Sequence, residues 1–113
     1  MLIDLHIHEK RNSPDSHQRL EDIVQVAKRV GLYAIAITDH DSMGIKEFAD
    51  SYSKEVNFPI FTGIEYFSLQ GDIIAFGIDD YPRERVSAQE FVNYVHECGG
   101  VTFACHPFRC NNR

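Results

Sequence analysis

Near its start the chain carries two histidines spaced one residue apart, in Asp4-Leu5-His6-Ile7-His8. Alternate side chains of a β-strand share a face, so His6 and His8 point into one space and form a chelating pair for a divalent ion. A single histidine is more often a satisfied core or surface residue, but a His-x-His pair at a strand end is a site. Asp39 and His40, Glu65, Asp72 and His106 each stand at or beside the end of an apolar run. Packing does not explain this recurrence, because an unpaired polar group costs about 1–3 kcal/mol when buried. Divalent metal compensates it. Mixed nitrogen and oxygen donors suit zinc, manganese or iron, and there are enough carboxylates to bridge two ions. Asp4 and Asp39 read as carboxylates that orient ligands rather than bind metal.

The elements that position these groups follow from the hydrophobic pattern. Runs rich in Ile, Val, Phe and Tyr predict strands over Leu2–His8, Tyr33–Thr38, Pro59–Phe67, Asp72–Ile78 and Val101–Cys105. Their nearly continuous apolar character predicts strands buried on both faces. Leu20, Ile23, Val24, Ala27 and Val30 recur at helical spacing before Gly31, which predicts a first helix. A second is expected from about Ser42 to Val56, and a third from Ser87-Ala-Gln-Glu90, a capping box, to Gly99-Gly100. The order β-α-β-α-β-β-α-β predicts an α/β fold with crossovers between parallel strands, broken only where Ser68–Gly71 is too short for a crossover and makes a hairpin. Functional groups of such folds gather at the carboxyl ends of the strands, where the polar residues lie here.

Composition narrows the class. The 113 residues are 43% hydrophobic and 25% charged, ordinary for one globular domain or part of one. A net charge of −6 without a dense Lys/Arg block argues against capture of a nucleic-acid backbone. No signal-peptide core or membrane span is visible, so a cytoplasmic protein is expected. Cys98, Cys105 and Cys110 lack metal-ligand spacing and are expected as buried small hydrophobes. His17 and His96, in helical stretches, are read as outside the site. Asp15, in Ser13-Pro-Asp-Ser16, reads from spacing alone as the cap of the first helix, completed by Gln18. Arg109 is either a solvated loop charge or a phosphate-binding residue.

The ordered motifs D-L-H-I-H, S-P-D-S, I-T-D-H-D, G-I-E and G-G-V-T-F-A-C-H-P-F-R resemble the PHP (polymerase and histidinol phosphatase) superfamily across essentially the whole chain. The resemblance implies a distorted seven-stranded (β/α) barrel with two or three divalent ions at its carboxyl rim, and phosphoester hydrolysis through a metal-activated hydroxide. It makes His6, His8, Asp15, His40, Glu65 and His106 ligands, with Glu65 bridging, and thereby replaces the capping role of Asp15. Many relatives have Gly-His where this chain has Gly71-Asp72, so Asp72 stands where they place an imidazole. Family barrels also use a later Asp-x-His motif, which does not follow His106 here. The 113 residues are therefore expected to be the N-terminal part of one PHP barrel, inactive alone, and self-associating or part of a longer chain. The expected substrate is a small phosphorylated molecule, nucleotides included, with Arg109 on its phosphate. Two alternatives stay open: a non-catalytic metal-binding or structural module, and a metal-dependent amide or ester hydrolase.

Overall fold

The structure, a computed structural model, describes residues 2–9 and 18–105. Of the residues singled out from the sequence, Asp15, His17, His106, Arg109 and Cys110 lie outside the described residues. Eight elements run β1 (Ile3–Ile7), α1 (Leu20–Arg29), β2 (Ala34–His40), α2 (Lys46–Val56), β3 (Ile60–Ser68), β4 (Gly71–Phe76), α3 (Ala88–Glu97) and β5 (Val101–Ala104). The strands form one curled, half-barrel sheet in sequential order, as in a partial (β/α) barrel. β1, β2 and β3 are parallel, while β4 is antiparallel to both β3 and β5. The expected hairpin is thus present. The link through α3, however, joins antiparallel neighbours rather than crossing between parallel ones, because the hairpin has already reversed the chain.

All three helices cover the same face of the sheet. Leu20, Ile23, Val24 and Ala27 of α1, spaced for one helical stripe, pack with Ile45 and Ala49 against Ile35, Ile37 and Ile60. Phe91 and Val95 of α3 pack against Ile64, Tyr66, Ile73 and Ala75, with Phe91 stacked on the Tyr66 ring at 4.0 Å. Burial on both faces, expected from the continuous apolar runs, holds for β2, where Ala34–Asp39 are all buried, but not for β1, the start of β3 or β5. The opposite, concave face carries Ile3, Phe61, Val101 and Phe103, which are 41%, 53%, 53% and 49% exposed.

Element boundaries differ from expectation for local reasons. β2 runs two residues further than the apolar run, so Asp39 and His40 belong to the strand. α2 starts at Lys46, because Ser42 Oγ accepts from the Gly44 N–H and holds residues 42–44 in a turn. β4 ends at Phe76, before Gly77, whose φ of +85° leaves the extended region. Ser87 caps α3 by accepting from the Glu90 N–H, as expected. Cys98 is exposed, since it caps the end of α3 away from the packed stripe; Cys105 is buried as expected.

Gly63 shows how tightly β3 and β4 meet on the concave face. A Cβ there would lie 2.4 Å from the Ala75 carbonyl oxygen and 2.6 Å from the Phe76 ring. Gly63→Ala is expected to cost about 1–3 kcal/mol, as overpacking does. A fall in the urea midpoint at unchanged m-value checks this, and an unchanged midpoint contradicts it.

Candidate metal centre

A one-residue irregularity aims the histidine pair. Asp4 pairs with Ile35 and Ile7 with Ile37, so β1 spends one more residue than β2 over the same stretch, a bulge. The extra residue changes the phase of β1. Ile7 stays on the helix side against the core, and His6 and His8 turn to the concave side. Without the bulge both would share the helix side with Asp4. Asp4 Oδ1 accepts from the His6 backbone N–H within the bulge. Its role is therefore on the backbone that carries the ligand, not on the imidazole.

Glu65 comes to the same place from β3. It pairs directly with His40 on β2 and, as the side-chain alternation requires, faces the concave side. Its side chain is 1% exposed. Oε1 lies 2.6 Å from His6 Nε2 and 2.9 Å from His8 Nε2, while Oε2 lies 3.5 Å from His40 Nδ1. The His8 and His40 rings are 4.3 Å apart between centroids. Asp72, at the start of β4, completes the rim. Two groups of donor atoms result: His6, His8 and Glu65, and His40, Glu65 and Asp72, with the atoms of each group within 4.8 Å of one another. Glu65 belongs to both.

Electrostatics follow from this packing. Burial by itself pushes the Glu65 carboxyl up, but hydrogen bonds from His6 and His8 and the charges of His40 and His6 outweigh it and hold it far below the usual carboxylate range.

These donors fit a cation. His6 Nε2 and His8 Nε2 are also 3.1 Å from each other, so two N–H dipoles aimed at one oxygen would lie side by side and repel. A divalent ion draws both nitrogens and the oxygen together with no such conflict. Two imidazoles with carboxylate, and one imidazole with two carboxylates, are donor sets that zinc, manganese and iron accept.

Asp39 is fully buried and accepts from the Glu9 backbone N–H at 2.7 Å, which fixes the chain immediately after His8. Glu9, 0% exposed, was not marked by any sequence feature; its Oε2 accepts from the Leu20 N–H at 2.8 Å. Leu20 opens α1, whose own N-cap, Arg19, supplies no side-chain bond. Glu9 therefore satisfies the first amide of α1 and ties the helix to the end of β1. His96 is exposed on α3 and outside both donor groups, as expected.

The PHP domain family matches residues 4–109, and the chain belongs to that family. An uncharacterized protein of Methanocaldococcus jannaschii is 30% identical over 117 aligned residues, covering 96% of this chain and 68% of that protein. The PolC-type DNA polymerase III of Lacticaseibacillus paracasei is 30% identical over 98 residues, covering 86% of this chain and 7% of the polymerase. A crystal structure of a candidate metal-dependent phosphoesterase from Bifidobacterium adolescentis superposes with a TM-score of 0.61 at 28% identity, over 68% of this chain and 28% of the other. No helix among the described residues is long and apolar enough to cross a membrane.

The Asp39–Glu9–Leu20 relay yields a direct test. Asp39→Ala leaves the buried Glu9 N–H without its acceptor and is expected to cost about 1–3 kcal/mol. Denaturant titration of metal-free protein reads it, which separates the loss from any change in metal affinity; unchanged stability contradicts the relay.

Proposed function

We propose that this PHP domain is a metal-dependent phosphoesterase centre that holds two or three divalent ions, zinc, manganese or iron. The observation that carries the reading is the shared carboxylate: one buried glutamate serves both donor groups, each of its oxygens facing a different set of imidazoles. In this reading His6, His8 and Glu65 Oε1 hold one ion, and Glu65 Oε2, His40 and Asp72 hold another. Asp15 and His106 are further ligands on the family pattern, and Arg109 binds the substrate phosphate. The candidate phosphoesterase from Bifidobacterium supports the reaction class.

When bound, paired divalent ions supply Lewis acidity, which lowers the pKa of coordinated water toward roughly 7 and polarises a phosphoryl oxygen. The chain's own residues do the rest. Glu65, whose anionic form its neighbours favour, would offset the repulsion between two cations held by the donor groups that share it. The strand positions of His40 and Glu65 and the bulge behind His6 fix the donors before substrate arrives, which is the preorganisation such catalysis needs. Arg109 offsets charge that develops on the departing oxygen.

The concave face bears on the same reading. Ile3, Phe61, Val101 and Phe103 lie exposed where a closed barrel would have its interior. We infer that the catalytic unit is a larger barrel, in which further strands of the same polypeptide, or a second copy, cover this face and complete the ligand set. The substrate is then a small phosphorylated molecule, handled in the cytoplasm.

Metal analysis and turnover of the complete polypeptide that carries this domain test the proposal together. Protein prepared without chelator is expected to carry roughly two or more divalent ions per chain, and content clearly below one sinks the ligand assignment. Glu65→Gln is expected to lose phosphomonoester or phosphodiester hydrolysis by at least about a hundredfold while folding normally. His96→Ala is expected to turn over as wild type. An intact metal centre that cleaves no phosphoester would favour the structural module, and one that cleaves only amides or carboxylic esters the other hydrolase.

A further inference from the structure

Beside the metal centre, a cavity of about 290 Å³ opens between the end of β3 and the segment 81–85. Its walls are Asp41, Tyr66, Phe67, Tyr81, Arg83 and Arg85, with Pro82 between the last three. Phe67 connects it to the centre. It follows Glu65 by two residues on β3, hence on the same face and about 7 Å further along, and it pairs across the hairpin with Asp72.

Arg85 is held at several points. Its guanidinium lies over the Phe67 ring at 3.9 Å and donates through Nε and Nη2 to the Ser68 carbonyl at 3.2 and 3.1 Å. The backbone on both sides is pinned by one hydroxyl: Tyr66 Oη donates to the Glu84 carbonyl at 2.7 Å and accepts from the Val86 N–H at 3.1 Å. Val86 in turn accepts from the Leu69 N–H through its carbonyl. Arg83, by contrast, is neutralised by Asp80 at 2.8 Å. Arg85 forms no ion pair with any carboxylate among the described residues. Covering Phe67 would need no charge and no such bracing. The arrangement is that of an exposed guanidinium fixed in place on the cavity wall, with donor capacity left over beyond its bonds to Ser68.

The opposite side of the cavity is braced as well. Asp41 follows the His40 position with a left-handed φ of 49°, a strained conformation for a residue other than glycine. It is kept there because its Oδ1 accepts from the Phe67 N–H, its own N–H donates to the Glu65 carbonyl, and its carbonyl accepts from Tyr81 Oη. The loop after His40 and the segment carrying Arg85 are thereby joined across the cavity mouth.

We propose that Arg85 anchors a second anion subsite next to the metal centre, so that the substrate is a phosphoester whose leaving group carries a further anionic group, a phosphate or a carboxylate. This rests on the phosphoester reading of the neighbouring donors, with the reacting phosphate at the metals and the second anion at Arg85. The aromatic walls Phe67 and Tyr81 leave room for the part of the leaving group between them.

Titration calorimetry on manganese-loaded protein tests it with inert probes: propylphosphonate, alkane bisphosphonates with three to six carbons, and matching phosphonocarboxylates. At one linker length a doubly anionic probe is expected to bind wild type about tenfold or more tighter than propylphosphonate. The better of the two series identifies the second group as phosphate or carboxylate. In Arg85→Gln the preference is expected to fall to about twofold, with propylphosphonate affinity and melting temperature unchanged. Arg85→Lys, which keeps the charge and loses the stacked fork, is expected to lose most of the preference too. No preference in wild type, or full preference retained by both variants, overturns the subsite. Because no bond is broken, protein with the preference but without phosphoesterase turnover refutes the hydrolytic reading and leaves the subsite standing.

Discussion

A carboxylate that is 1% exposed yet surrounded by imidazoles that favour its anionic form is the constraint on which this structure turns. Burying an isolated charge costs several kcal/mol, so Glu65 is tolerated only because imidazoles from two other strands meet it. That requirement dictates much of the architecture. β2 must pair with β3 so that His40 lies opposite Glu65, β1 must pair with β2, and β1 must change phase before His6. Asp4 holds the bulge, Asp39 holds the backbone after His8, and Glu9 attaches that backbone to α1. Each of these three acidic residues secures the backbone beside a donor.

The helices serve the same end from the far side of the sheet. By packing on one face alone they leave the other free for chemistry, and the apolar stripes of α1 and α3 fix the strands whose ends carry the donors. The hairpin reverses the chain so that Asp72, opening β4, returns to the rim reached by the end of β3. The shortness of the Ser68–Gly71 turn is thus a functional feature: a longer connection would not constrain the second carboxylate so closely to Glu65.

Much of this was legible from residue types and periodicities. His-x-His chelation follows from the two-residue period of a strand, and apolar runs marked the places where polar residues end them. The order of elements and the antiparallel hairpin were readable from run lengths and turn length. What could not be read arises from tertiary geometry. The β1 bulge has no sequence signature, and without it the pair would face the helices. Glu9 reads as a solvent charge until α1 is seen to begin at Leu20 without a cap of its own. Asp39 was expected beside a ligand; its bond to the Glu9 peptide N–H was not readable, because it depends on where the chain after β1 passes. Continuous apolar strands suggested two covered faces, but a curled sheet uses its concave side differently from an open one. Cys98 failed as a core residue because hydrophobic character does not specify which side of a helix end faces inward.

The central claim is that one buried glutamate divides two cation positions, and its most direct test is anomalous diffraction from crystals of the protein grown with manganese. The account predicts two peaks, one against His6, His8 and one Glu65 oxygen, the other against His40, Asp72 and the second Glu65 oxygen, about 3.5–4 Å apart. A single peak touching only one side of Glu65, or peaks remote from it, would contradict the account.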